Sequence, residues 1–213
     1  MKENKYTIDA PFTHEITIEK SRFITHLFPT DTAEEAKDMI QQVKKQYADA
    51  SHNCSAYVIE HETTIQKSSD DGEPAGTAGV PMLQALTSRE MINITAVVTR
   101  YFGGIKLGAG GLIRAYSRAV LEALDIVPLM TYESLATVPL ALSYDELNTI
   151  YVLQAKSQLF TIDELTYEPE TIAHLTVQTD KINELEALLQ ANLFRFVELT
   201  PTQTIVKKVS KTE

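Results

Sequence analysis

The sequence predicts an α+β protein of two domains, residues 1–130 and 131–213, and three observations predict it. The chain has 213 residues, 44% of them hydrophobic, which suits one large core or two small ones. All 8 glycines fall between Gly72 and Gly111, so one half carries a segment of special backbone and the other carries none. From Leu135 onward the apolar pattern runs β-α-β-β-α-β, the ferredoxin-like arrangement. The junction is expected at 126–134, and the first domain's helices on one face of its sheet.

Residues 15–20 alternate, with Ile16 and Ile18 on one face, and predict a strand. A second strand follows at 22–28 and stops at Pro29. Thr32 and Glu35 form a capping box, and Ala33, Ala36, Ile40, Val43 and Tyr47 behind it make one apolar helix face. Lys44 and Lys45 in the last turn suit the helix dipole. Residues 53–60 and 63–68 predict an antiparallel pair joined through Glu60-His61-Glu62-Thr63. Asp70-Asp71-Gly72 is a turn signal, and Pro74 keeps Glu73 extended. A helix starts near 77–79, with Pro81 in its first turn. The β-branched run 92–99 predicts a central strand, and a helix is expected over 110–124.

In the second half, strands are expected at 135–142, 160–167, 171–179 and 196–207, with helices at 144–158 and 181–192. The middle pair forms a hairpin around Pro169.

Charge is uneven. The net charge is −10, yet Met91 to Leu121 holds no Asp or Glu, only Arg100, Lys106, Arg114 and Arg118. Residues 1–130 carry 13 basic and 17 acidic side chains, against 6 and 12 for 131–213. The acidic balance argues against non-specific nucleic-acid binding by the whole surface, and leaves room for a local basic groove. No run approaches the roughly 18 apolar residues of a membrane span, and the N-terminus has no apolar signal segment. One cysteine, Cys54, allows no internal disulfide and no multi-cysteine metal site. The expectation is a cytoplasmic protein without membrane association.

Three constellations could carry chemistry. The first is Gly108-Ala109-Gly110-Gly111 before a helix, flanked by Arg100 and Lys106 and continued by Arg114 and Arg118. Free backbone N–H groups at a helix start suit a phosphate. Alternatively, the glycines serve close packing and Arg118 pairs with Glu122 one turn on. The spacing matches neither a dinucleotide fingerprint nor a Walker loop. The second is the turn with Asp70, Asp71 and Glu73, which could hold Mg²⁺ or supply an acid and a base. The competing reading has these carboxylates cap the next helix or pair with Arg100 or Arg114. The third is His52 with Cys54, which share a strand face. That is a nucleophile pattern, but free cysteine is more often simply buried. The acidic and basic segments are each costly to bury alone, which predicts that they meet and form one site.

Residues 68–79 read S-S-D-D-G-E-P-A-G-T-A-G, and 100–116 read R-Y-F-G-G-I-K-L-G-A-G-G-L-I-R-A-Y. With S-R-F-I at 21–24 and S-H-N-C-S-A-Y at 51–57, these motifs resemble the IMPACT family, in its bacterial YigZ-like branch. The resemblance covers about residues 1–130. It implies an N-terminal domain like domain 2 of ribosomal protein S5. It also implies a C-terminal ferredoxin-like domain similar to the last domain of the translocation elongation factor.

The implied function is a translation-linked regulatory or binding role, with RNA, the ribosome or a translation-associated protein as partner. The implied contact site is the glycine-rich basic segment: Arg100, Gly103, Gly104, Lys106, Gly108, Gly110, Gly111, Arg114 and Arg118. The second part of the shared motif is His52, Ser68, Asp70, Asp71, Gly72, Glu73, Pro74, Gly76 and Thr77. The alternative is a small-molecule phosphotransferase, hydrolase or peptidase built on the glycine loop and the acidic turn. No complete nucleophile–base–orienter set is legible, so the sequence leans away from an enzyme. No catalytic residue, metal or cofactor is assigned.

Overall fold

A computed structural model describes residues 5–60, 63–167 and 171–210. Two compact units emerge, one ending at Thr131 and the other spanning Tyr132–Val209. Both mix helix and strand, as the α+β reading expects.

The first unit begins with β1 (Tyr6–Thr7), β2 (Phe12–Ile18) and β3 (Ser21–Pro29). Helix α1 (Ala33–Gln46) follows, and its capping box is formed on both sides: Glu35 N donates to Thr32 Oγ1, and Glu35 Oε2 accepts from Thr32 N. Such a cap is worth about 1 kcal/mol. Then come β4 (His52–Glu60), β5 (Thr64–Ser69), α2 (Gly79–Ser88), β6 (Ile94–Tyr101) and α3 (Gly108–Ile126). The main sheet is antiparallel in the order β2-β3-β6-β4-β5. The β-branched run is the central strand, as its composition predicts. The turn expected between β4 and β5 includes His61 and Glu62, which lie outside the described residues.

The helices do not share one sheet face, contrary to expectation. Phe23, Leu27, Cys54, Ala56, Val58, Ile94, Ala96 and Val98 face α2 and α3 and build the main core. On the other side Tyr57 and Ile59 pack on Ala36 of α1, with Ala33 and Ile40 at the edge. The cause is β4, which is buried on both pleats. A strand apolar at consecutive positions needs cover on two sides. Thr25 Oγ1 donates to Ala119 O and ties α3 to the sheet. Each large side chain fully buried here, such as Phe23, Met82 or Leu86, contributes about 1.5–3 kcal/mol.

The junction is expected at 126–134. β7 (Met130–Leu142) already starts inside it, and Met130 and Thr131 pair with Thr7 and Tyr6. The second unit continues with α4 (Tyr144–Ser157), β8 (Phe160–Thr166), β9 (Thr171–Gln178), α5 (Ile182–Leu193) and β10 (Gln203–Ser210). Its strand order is β10-β7-β9-β8, which with β-α-β-β-α-β connectivity is the ferredoxin-like arrangement. Pro169, the expected centre of the β8–β9 hairpin, lies outside the described residues.

The last strand starts seven residues later than expected. Val197 and Leu199 do point into the core, which is why 196–202 reads as a strand. Its backbone is met by α5 side chains instead of a ladder: Gln190 Nε2 donates to Val197 O, and Leu199 N donates to Glu186 Oε1.

Candidate functional site

The site is built where β4, β6 and the segment before α2 meet. β4 and β6 pair in a register that sets His52 opposite Arg100. Arg100 is buried, and its Nη1 lies 2.6 Å from Glu73 Oε1; the two side chains are 6% and 4% exposed. The same oxygen accepts a 2.8 Å bond from the Tyr116 hydroxyl of α3. Arg100 Nη2 reaches Ser21 Oγ at 3.4 Å, and its guanidinium lies over the rings of Phe23 and Phe102 at 5.4 and 5.6 Å. Tyr116 stacks edge-on against Phe23. One acidic residue, one basic residue and three aromatic rings thus tie the turn, β3, β6 and α3 together.

The acidic turn is divided among separate tasks. Asp70 accepts from Gly76 N, Ala78 N and Gly79 N, and so caps α2, which has no side-chain cap of its own. Burial pushes the Asp70 carboxyl up, but the three N–H donors outweigh it, and it sits below the usual range. Asp71 accepts from Lys44 Nζ at 2.5 Å and from Asn53 N at 2.6 Å. Glu73 faces inward to Arg100. The carboxylates therefore point to three different partners, which is the pairing-and-capping alternative and not a joint Mg²⁺ cage. Among the described residues, no group of three or more His, Cys, Asp or Glu is placed to hold a metal ion.

His52 and Cys54 both clasp this turn from β4. His52 Nδ1 lies 2.9 Å from Asp71 O, the geometry of a ring N–H donating to a carbonyl, and its Nε2 faces Glu73 Oε2 at 3.8 Å. Cys54 Sγ donates to Asp70 O at 3.0 Å. Burial, with the charges of Glu73, Asp71 and Asp70 adding to it, pushes the thiol up to about 12. A buried thiol held protonated is not an activated nucleophile.

The acidic and basic segments come together around one pocket of about 440 Å³. Of the sequence candidates, His52, Glu73, Pro74, Arg100, Lys106 and Gly108 line it. α3 opens onto it without a side-chain cap and with no acid in its first turn. Gly108 has φ +66°, a left-handed conformation that favours glycine, and this brings the helix start to the pocket wall. Gly103 is needed for another reason: a Cβ there would fall 2.0 Å from the Lys20 backbone.

Other candidates lie outside this lining. Asp70, Asp71, Gly72, Gly76 and Thr77 belong to the turn that braces the pocket, while Gly104, Gly110 and Gly111 shape the loop and helix start. Ser68 sits on the exposed edge strand β5. Arg118 is turned away as well, because Glu122 one helical turn on holds it at 2.6 Å. Arg114 is exposed on α3, without an ion-pair partner among the described residues. Of the four positive charges in the basic window, Arg100 and Arg118 are met by Glu73 and Glu122. Lys106 and Arg114 have no ion-pair partner among the described residues.

Ser51, Phe102, Leu107 and Leu112 also line the pocket and are not among the sequence candidates. Phe102 is the consequential one, a pocket aromatic left 49% exposed. Its signal was available, an aromatic placed directly before Gly103-Gly104 in the motif.

The Impact N-terminal domain family matches residues 19–124. IMPACT family member YvyE of Bacillus subtilis (strain 168) is 45% identical over 183 residues, 86% of this chain and 84% of the relative. IMPACT family member YigZ of Escherichia coli (strain K12) is 39% identical over 184 residues, covering 84% and 89%. Human Protein IMPACT is 36% identical over 98 residues, 44% of this chain and 30% of that protein. A crystal structure described as that of an hypothetical protein superposes with a TM-score of 0.57 at 35% identity, covering 95% of this chain and 99% of the other. This chain belongs to the IMPACT family. Among the described residues no helix is long and apolar enough to cross a membrane.

Proposed function

We propose that the chain is a translation-linked binding protein whose first-unit pocket takes one nucleotide of single-stranded RNA. The observation that carries this is the uncapped start of α3, which opens into the pocket beside Lys106. Backbone N–H groups there are oriented donors, and Lys106 adds a charge, so a backbone phosphate is the matching ligand. Exposed Phe102 in the same pocket offers a face on which the base stacks, worth about 1–3 kcal/mol. The overall acidity of the chain confines such binding to this pocket. The buried Arg100–Glu73 pair gives the pocket a rigid, electrically balanced floor.

The geometry supports binding over the phosphotransfer or hydrolase reading, because each carboxylate of the acidic turn is already committed to a protein partner. The test is fluorescence anisotropy of a labelled single-stranded RNA across a salt series. Lys106→Ala weakens binding and flattens the salt slope by about one unit. Arg118→Ala, outside the pocket, leaves both unchanged. Equal losses in the two variants, or no RNA binding by the parent protein, would rule this reading out.

A further inference from the structure

We propose a second anion site on the α1 side of the first unit's sheet, built for the phosphate group of a small monoester. It is a pocket of about 220 Å³ between α1 and the edge strand β5, lined by Lys37, Ile40, Lys44, Ser55, Tyr57, Lys67, Ser68 and Ser69. It is independent of the RNA reading, since it shares no lining residue with the α3 pocket.

The lining follows from two periodicities. Lys37 and Lys44 are seven apart on α1 and so project from the same side two turns from each other. In the sheet, Tyr57 pairs with Lys67 and Ser55 with Ser69, which places all four on the pleat that faces α1. Three lysines together with Ser55, Tyr57 and Ser69 therefore line one small space. No carboxylate lines it. Lys44 is held by Asp71, whereas Lys37 and Lys67 make no ion pair among the described residues.

The second observation is Tyr57. It is 4% exposed, and its hydroxyl is buried with no hydrogen-bond partner. Buried hydroxyls are nearly always bonded, so an unmatched one lining a pocket calls for an acceptor from outside the fold. A phosphate monoester is all acceptor and doubly charged near neutral pH, which fits a lining of hydroxyls and two free lysines. The size of the pocket admits a phosphate with a short organic stub.

Ser68, a motif residue outside the α3 pocket, borders this one from β5, although its pairing with Ala56 sets its side chain on the opposite pleat. Ser68 and Ser69 belong to the same strand end that runs into the acidic turn, so an occupant here would touch the turn through Lys44 and Asp71.

The test is a ¹H–¹⁵N correlation titration of the full chain with inorganic phosphate and, separately, glycerol phosphate, at constant ionic strength with chloride as control. The expected result is a saturable shift of the Lys67, Ser68 and Ser69 amides with both phosphates and none with chloride. Tighter binding of glycerol phosphate assigns the monoester; equal or weaker binding overturns that assignment in favour of free phosphate. Lys37→Ala with Lys67→Ala should weaken binding roughly tenfold or more, since two charged contacts are lost. Tyr57→Phe keeps the ring and the fold, and should weaken binding by a smaller factor. Non-saturating shifts, the same shifts with chloride, or undiminished affinity in the double lysine variant would overturn the proposal.

Discussion

Replacing Glu73 by alanine should be among the most damaging single changes in the first unit. The carboxylate is 4% exposed and meets Arg100 at 2.6 Å and the Tyr116 hydroxyl at 2.8 Å. Without it, a guanidinium that is 6% exposed keeps only a 3.4 Å contact to Ser21 and the faces of two rings. Breaking one side of a buried ion pair costs about 3–5 kcal/mol. Orphaning the Tyr116 hydroxyl adds about 1–3 kcal/mol. The sum, about 4–8 kcal/mol, is comparable with the roughly 5–15 kcal/mol that holds a domain together. The pair Glu73→Leu with Arg100→Met removes both charges and should cost far less than the sum of the single changes, a coupling of about 3 kcal/mol. Urea denaturation followed by circular dichroism, run as a double-mutant cycle, measures both quantities. A Glu73→Ala loss below about 1 kcal/mol, or strictly additive effects, would mean that the buried pair does not hold the unit together.

Three further outcomes follow from the same geometry. Asp70→Ala removes the acceptor of three N–H groups at the start of α2 and should destabilise the first unit by about 1–2 kcal/mol in a thermal melt. Because the Asp70 carboxyl is lowered on folding, its contribution is present above the ordinary carboxylate range and fades as pH falls through its folded value; Asp70→Asn should flatten that acid limb. His26 is buried with Nε2 unpartnered, and burial lowers it from 6.5 to about 4. The unfolded chain binds that proton first, so stability should fall as pH drops from 6.5 toward 4, and a His26→Phe variant should lose that slope. Cys54, raised to about 12, should react with a thiol reagent slowly at neutral pH in the native protein and quickly in denaturant; equal rates would contradict its burial.

Much of the fold was legible because its signals are local. Thr32 and Glu35 announce α1 through four residues of chemistry, and the β-branched run at β6 announces a central strand. The position of α1 differs from the sequence expectation, although β4 holds the clue. Cys54, Ala56 and Val58 alternate with Tyr57 and Ile59, so both pleats need cover. The start of β10 differs from the sequence expectation because Val197 and Leu199 mimic a strand's inward alternation, whereas side chains of α5 satisfy the backbone there.

For the site, composition alone brought the acidic turn to the basic loop, since neither charge cluster can be buried alone. Which partner Glu73 takes depends on the register of β6, which no local pattern specifies. Arg118 shows the opposite case: Glu122 four residues on was enough to foresee its pairing, yet its place in a positive stripe made it a candidate. Phe102 is not among the sequence candidates because the basic and glycine residues around it carry the stronger chemical signal.

The pocket's ligand can be tested most directly by titrating the ¹⁵N-labelled chain with a short single-stranded RNA and following the backbone amides. Saturable shifts are expected at Gly108, Ala109, Gly110 and Gly111, together with Phe102, and they vanish as salt is raised. RNA binding with those amides unmoved, and shifts confined to another surface, would contradict binding at this pocket.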